Sequence, residues 1–358
     1  MSIIKPIGPT SAPQPYSIKY LPPLIVGGAV FNTQYASDPY KLPVKEIVSQ
    51  AFRSGLIAID TSPYYGASEE LLGKALFELK SKWNRELYFI CTKAGRIKLN
   101  EFDYSRDAVR KSVERSLSRL NTKYLDLVYM HDIEFVKEDE IYEALKELSL
   151  MKREGIIKNI GISGYPVEFL YKIAKNCHDS HQDDIGSLDV VMSYSNGCIQ
   201  NTKLFEYHDK FLNECGLQKL LNGSILSMSL LRSQVTHDFH PASPDLKNCI
   251  SNIAQTLIKE DQVELADLST RFALRHWLFG LSFGKKDSER PGYLRWNKKV
   301  SIVLGVSSVE ELNVAINCYW QVKLNEDGVN DKDTPLEEKV HRMLGHHLNE
   351  TWPSGINH

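Results

Sequence analysis

Leu127-Val128-Tyr129-Met130 is an apolar run that stops at His131, and beyond it Ile141, Ala144, Leu145 and Leu148 recur at the 3.6-residue spacing of one helix face. A run without polar alternation suits a strand covered on both sides, as in a parallel sheet. Residues 107–120 repeat the helical pattern upstream, with Ala108, Val109, Val113, Leu117 and Leu120 on one stripe. Seven similar apolar runs complete the series: Leu24-Ile25-Val26, Leu56-Ile57-Ala58-Ile59, Leu87-Tyr88-Phe89-Ile90, Ile160-Gly161-Ile162, Val190-Val191-Met192, Lys219-Leu220-Leu221 and Ile302-Val303-Leu304. Eight strand candidates, each followed by a helix candidate, predict an α/β chain closed as a (β/α)8 TIM barrel. The rival, an open doubly wound sheet, wants a glycine-rich turn after its first strand, and the chain has no G-x-G-x-x-G.

The 358 residues are 42% hydrophobic and 25% charged, near the globular average and enough for a sizeable core. A net charge of −2 provides no basic field for a nucleic-acid backbone or an anionic membrane, so neither is expected as a partner. Cys91, Cys177, Cys198, Cys215, Cys249 and Cys318 contain no C-x-x-C pair; reduced, separately packed thiols are expected, with no metal site. No apolar run reaches the roughly 18–20 residues of a membrane span, and residues 1–20 lack a signal-peptide core, so a cytoplasmic protein is expected.

Residues 1–21, with Pro6, Pro9, Pro13 and Pro15, read as a loosely held arm, and 22–322 as the barrel. The polar stretch 280–299, rich in Lys and Arg, reads as a solvated insertion on the face opposite the site. The tail 323–358 is expected to pack on the barrel, its linker 325–333 leading to Pro335 at a helix start, then 336–348 and Trp352.

Where each apolar run ends, a polar residue or glycine appears: Gly27-Gly28, Asp60, Lys93, His131, Ser163, Tyr194, Ser224, and Gly305 with Ser307. Singly these have ordinary explanations: a helix cap for Asp60, a solvated charge for Lys93, a core imidazole for His131. In phase along a barrel they converge on one rim, where active sites of this fold are built.

Asp60-Thr61-Ser62-Pro63-Tyr64-Tyr65-Gly66, Thr92-Lys93 and Leu127-Val128-Tyr129-Met130-His131 together resemble the aldo-keto reductase superfamily. The resemblance runs from about Leu24 to Tyr319 and implies a catalytic tetrad of Asp60, Tyr65, Lys93 and His131 serving nicotinamide hydride transfer. The chemistry is sensible in its own right. A phenol titrates near 10, an adjacent ammonium should lower that value, and Asp60 should keep Lys93 charged. Tyr65 is then the acid/base and His131 the hydrogen-bonding partner of the substrate oxygen.

The same resemblance implies cofactor positions at Gly28, Ser163, Tyr194, Ser224, Leu226, Met228, Gly305, Ser307, Ser308 and Glu311. Three family positions depart: the family's Ser-Asn pair appears as Ser163-Gly164, its usual glutamine after the sixth strand as Tyr194, and its stacking aromatic falls at Gly223. Tyr194 is expected to take over the stacking, with core packing as its ordinary alternative. The run Ser224-Ile225-Leu226-Ser227-Met228-Ser229 is similar to the pyrophosphate loop. Gly305 and Glu311 stand where NADP-preferring members place Lys and Arg, which implies NAD over NADP.

His131-Asp132-Ile133-Glu134-Phe135, Gly161-Ile162-Ser163-Gly164-Tyr165-Pro166, Ser227-Met228-Ser229-Leu230-Leu231 and Trp352-Pro353-Ser354-Gly355-Ile356 resemble a narrower group, the fungal and plant aldose dehydrogenases. That likeness implies oxidation of an aldose of the D-arabinose, L-galactose, L-fucose or L-xylose type at C1 to an aldono-1,4-lactone, in the fungal case for D-erythroascorbate synthesis. Tyr64, Asp132 and Trp352 would meet sugar hydroxyls, with a loop cap as the alternative for Asp132. The alternatives are, among enzymes, an NADPH-dependent aldehyde or ketone reductase and, from another class, a non-catalytic nucleotide sensor.

Overall fold

In the computed structural model, which describes residues 5–13, 16–280, 294–356 and 358, each apolar run forms or feeds a strand. In chain order these are β1 (Leu24–Gly27), β2 (Ala58–Asp60) and β3 (Phe89–Ala94), then a hairpin of β4 (Arg96–Lys98) and β5 (Glu101–Phe102). β6 (Leu127–His131), β7 (Ile160–Gly164), β8 (Val190–Tyr194), β9 (Lys219–Gly223) and β10 (Val300–Gly305) follow. All but the hairpin close into one barrel, ordered β1-β10-β9-β8-β7-β6-β3-β2, with every pairing parallel. The expected (β/α)8 barrel is the observed one.

The helices between strands present their apolar stripes inward. They are α1 (Val44–Arg53), α2 (Ser68–Leu79), α3 (Arg106–Arg119), α4 (Glu138–Arg153), α5 (Val167–Ser180), α6 (Lys203–Glu214), α7 (Pro244–Thr256), α8 (Leu265–Ala273) and α9 (Val309–Leu324). In α4 the expected stripe Ile141, Ala144, Leu145 and Leu148 is fully buried. Caps fix their starts: Ser105 Oγ accepts from Ala108 N at 3.4 Å before α3, and Ser308 Oγ accepts from Glu311 N at 3.1 Å before α9. Among the described residues no helix is long and apolar enough to cross a membrane. All six cysteines are unpaired, five of them buried.

Three expectations need revision or fall aside. Residues 5–13 and 16–21 of the proline-rich arm are pinned, not loose: Ile7, Ala12, Ile18 and Leu21 are buried, Ile7 N donates to Ser54 O at 2.9 Å, and Ala12 N to Leu87 O at 2.8 Å. Its few apolar side chains find the floor of the barrel, and that burial outweighs the disordering composition. The tail differs too. Pro335 lies inside α10 (Val329–Leu344), so the linker 325–333 is partly helical. Pro335 is exposed, so the carbonyl its missing N–H leaves free is on the solvent side, and Arg271–Asp333 and Arg275–Glu337 pairs hold the turns on either side to α8 and its extension. The insertion at 280–299 lies mostly outside the described residues, including Lys285, Lys286, Asp287, Glu289 and Arg290.

A second apolar cluster sits beside the barrel core, built from Leu246 and Ile250 of α7, Leu268 and Phe272 of α8, Val340 and Leu344 of α10, and Trp352. It fastens the C-terminal segment against the rim that carries the strand ends.

Candidate active site

Parallel closure puts every strand's C-terminal end at one mouth, and the register fixes which ends are neighbours. Gly27 pairs with both Asp60 and Gly305, His131 with Ser163, and Tyr194 with Gly223. The phased residues of the sequence thus form one ring.

Within that ring Asp60, Lys93, His131 and Tyr65 meet. Lys93 Nζ, buried at the end of β3, donates to Asp60 Oδ1 at 2.5 Å and to Thr61 O at 2.9 Å. The same ammonium lies 4.8 Å from the centroid of the Tyr65 ring. Tyr65, on the loop after β2 and partly exposed, stands edge-on to His131 at 5.5 Å and 89°. Asp60 Oδ2 is buried without a hydrogen-bond partner.

Electrostatics confirm one expectation and correct another. Burial pulls the Lys93 pKa down, but Asp60 and Tyr65 more than compensate and hold it above the ordinary lysine value. Lys93 is therefore a fixed cation. Tyr65 goes the other way from expectation: burial pushes its pKa up, Lys93 pulls it back, and Asp60 and Asp132 push it up again, leaving it above 10.0. Desolvation of a phenolate outweighs one ammonium that is already shared with a carboxylate. His131 is held well below its usual value by burial and by Lys93 and Arg96, so it is neutral.

Asp132 follows His131 in left-handed conformation (φ 57°) and precedes the turn Ile133–Phe135 without capping it through its side chain. Its carboxylate instead pairs with Arg96 of the β4–β5 hairpin, and the Arg96 guanidinium stacks 4.1 Å over Tyr64. Asp132 Oδ2 lies 3.6 Å from His131 Nε2. Tyr64 and Asp132 are thus beside the tetrad. Trp352 has no such contact: it stacks on Tyr165 at 4.5 Å and meets His240 at 5.1 Å.

The expected cofactor positions line the other arc of the ring. After β9, Ser224, Ser227, Met228 and Ser229 all hold positive φ, at 55°, 47°, 49° and 71°. Ser224 Oγ accepts from Met228 N at 2.7 Å to close this turn, which also carries Leu226, and Ser227 Oγ is buried with no partner. Non-glycine residues in this region store strain of about 1–3 kcal/mol each and collect at ligand sites. After β10, Gly305 leads to Ser307 and the cap Ser308. Glu311 Oε2 accepts from Ser307 N at 2.7 Å and Ser307 Oγ at 2.9 Å, so the carboxylate braces the start of α9. Tyr194 lies across from Gly223, where an added Cβ would meet Tyr194 Cβ at 3.4 Å, and its ring lies 5.6 Å from that of Tyr165. Ser163 Oγ donates to Met130 O at 3.4 Å. Gly28 has a packing reason, since a Cβ there would lie 2.5 Å from Ser68 Oγ.

Sequence reading passed over Arg96, Ser62 and Arg232. Ser62 lay in plain view inside the quoted motif. Arg232 directly follows the serine-rich turn, and its Nε is buried without a partner. Arg96 gave no periodic or motif signal, because only the hairpin brings it to Asp132.

The Aldo/keto reductase family model matches residues 23–334. D-arabinose 1-dehydrogenase of Saccharomyces cerevisiae is 47% identical over 96% of this chain and 97% of its own length. L-galactose dehydrogenase of Arabidopsis thaliana is 34% identical over 87% of this chain and 86% of its own. Among solved structures, an aldo-keto reductase of Bacillus halodurans superposes with TM-score 0.62 at 18% identity, covering 90% of this chain and 92% of that one. The glycerol dehydrogenase of Gluconobacter oxydans gives 0.62 at 16%, covering 98% and 99%; both show likeness of fold. With a family model spanning most of the barrel and two relatives matched over nearly their full length, the chain belongs to the aldo/keto reductase family.

Proposed function

We propose that this chain oxidises an aldose at its anomeric carbon, with NAD as hydride acceptor and an aldono-1,4-lactone as product. One observation carries the reading: a phenol, a fixed ammonium and a neutral imidazole share one mouth of a barrel. The likeness to the two sugar dehydrogenases supplies the substrate class, of which D-arabinose, L-galactose, L-fucose and L-xylose are the candidates.

Members of this family use a nicotinamide cofactor, which when bound supplies the hydride acceptor. The rim fits such a dinucleotide: the strained turn at Ser224–Ser229 offers an unpartnered buried hydroxyl on Ser227, and the N-terminal end of α9 stands on the neighbouring strand. Ser224, Leu226, Met228, Gly305, Ser307 and Ser308 would hold its phosphates and adenosine, while Gly28, Ser163 and Tyr194 would border its nicotinamide end. Glu311 places a negative charge where a 2′-phosphate would need a cation, which favours NAD.

Tyr65 takes the proton of the C1 hydroxyl as C1–H leaves as hydride, so the sugar loses one hydride and one proton, two electrons and two protons in all. Lys93, fixed by Asp60, stabilises the phenolate at the moment it is needed. His131 hydrogen-bonds the reacting oxygen, and Tyr64 and Asp132 meet further hydroxyls, with Arg96 keeping Asp132 aimed. The barrel at 22–322 carries this chemistry and the tail at 323–358 borders it. Six unpaired cysteines fit a reducing compartment such as the cytoplasm, and the lactone formed from D-arabinose would fit erythroascorbate synthesis.

Purified protein assayed for NADH formation with D-arabinose, L-galactose, L-fucose and L-xylose should turn over at least one sugar, and faster with NAD than with NADP. No turnover with any of them, or a strong preference for NADPH with aldehydes, would overturn the reading.

A further inference from the structure

Ser62 sits between the tetrad's Asp60 and Tyr65 in sequence, yet no role has been given to it. Its side chain is completely buried, and its Oγ lies 3.0 Å from His131 Nδ1. The same oxygen accepts the backbone N–H of Tyr64 at 3.1 Å. A hydroxyl has one proton to give, and among the described residues His131 Nδ1 is its only acceptor within hydrogen-bonding distance.

The opposite edge of the ring agrees. His131 Nε2 faces Asp132 Oδ2 at 3.6 Å, and that carboxylate is paired with Arg96. A bare Nε2 lone pair would point at a carboxylate, a repulsive arrangement, whereas Nε2–H is attracted to it. Were the proton on Nδ1, Ser62 Oγ would receive two N–H donors and leave its own O–H stranded in a dry site. The neutral state of the imidazole makes the choice of tautomer a real one. Tyr104 adds a brace from behind, its hydroxyl donating to His131 O at 2.6 Å.

We infer that Ser62 is a positioning residue that fixes His131 as the Nε2–H tautomer, through a relay from Tyr64 N–H to Ser62 Oγ–H to His131 Nδ1. The consequence rests on the reading of His131 as the group that meets the substrate oxygen. With the proton locked on Nε2, the ring is a donor to that oxygen in either direction of reaction, and Ser62 also ties the donor to the backbone that carries Tyr65. One hydroxyl thereby couples the placement of two members of the tetrad.

The test is 15N–1H correlation of protein labelled at histidine, together with Ser62→Ala. The wild-type spectrum should show a pyridine-like Nδ1 and a pyrrole-like Nε2 for His131, assigned by loss in His131→Gln. In Ser62→Ala the Nδ1 signal should move toward a mixed tautomer, and kcat on the best aldose should fall about 10- to 100-fold with KM within about twofold, the scale of one misplaced transition-state hydrogen bond. A wild-type spectrum with the proton on Nδ1 overturns the inference, as does a Ser62→Ala protein with an unchanged His131 signal. The spectrum does not depend on turnover: the expected tautomer in a protein that oxidises no aldose would leave this inference standing and fault the activity reading alone.

Discussion

Lys219 opens β9 at the floor of the barrel, far from the mouth, and is fully buried. Its Nζ donates to Leu21 O at 3.0 Å and Ser301 Oγ at 3.3 Å and lies 4.9 Å from the Trp296 ring, and no carboxylate among the described residues pairs with it. Burial alone drives its pKa from 10.5 to about 7. The unfolded chain keeps the ordinary lysine value and so binds more protons than the folded one between those two limits. Stability from this residue therefore rises as pH climbs from about 7 to 10.5 and is flat below, with a slope of about 1.4 kcal/mol per pH unit. The full span sets a ceiling of about 5 kcal/mol on what Lys219 costs at pH 7. Lys219→Met has similar length and keeps the apolar stem, but leaves Leu21 O unpaired at about 1–2 kcal/mol. Urea unfolding at pH 7 should show the variant more stable by about 2–4 kcal/mol, and the advantage should shrink by about 1.4 kcal/mol per pH unit up to pH 9.5. Taking the difference between variant and wild type cancels every other titrating group. A gain that stays constant with pH, or a loss at pH 7, would refute the claim of a desolvated, unpaired amine.

Tyr65→Phe should cut kcat by about 10²- to 10⁴-fold while NAD affinity, read by fluorescence, changes less than twofold. Because burial holds the Tyr65 phenol above its ordinary value, sugar oxidation should accelerate as pH rises from 7 toward 10, when more phenolate is available; a rate falling over that range would fault the acid/base assignment. Glu311→Lys should raise the NADP-to-NAD ratio of kcat/KM by about tenfold or more, since it swaps repulsion for attraction at a 2′-phosphate. Arg96→Met should strand the Asp132 carboxylate, lowering stability by about 3 kcal/mol in denaturant and raising the sugar KM, with NAD affinity unchanged.

The barrel was legible because its signal is local and repeated. The eight runs are almost wholly apolar, as strands covered on both sides require, and the phase of Asp60, Lys93 and His131 at run ends followed from strand length. The proline-rich arm misled because composition records backbone restriction, not the few side chains such as Ile18 and Leu21 that find a floor to bury against. Pro335 misled for a related reason: whether a proline ends a helix depends on which face its freed carbonyl meets, and here Pro335 is on the exposed face.

The amino-acid sequence alone determined the fold class, the ring of residues at the mouth and the family, all carried by short-range pattern and motif. Tertiary structure decided the protonation chemistry. That Tyr65 is held above rather than below its ordinary pKa, that Asp132 belongs to Arg96, and that Ser62 reaches His131 depend on burial and on contacts between segments far apart in the chain. Desolvation and charge pairing are properties of three-dimensional surroundings, and no window along the sequence contains them.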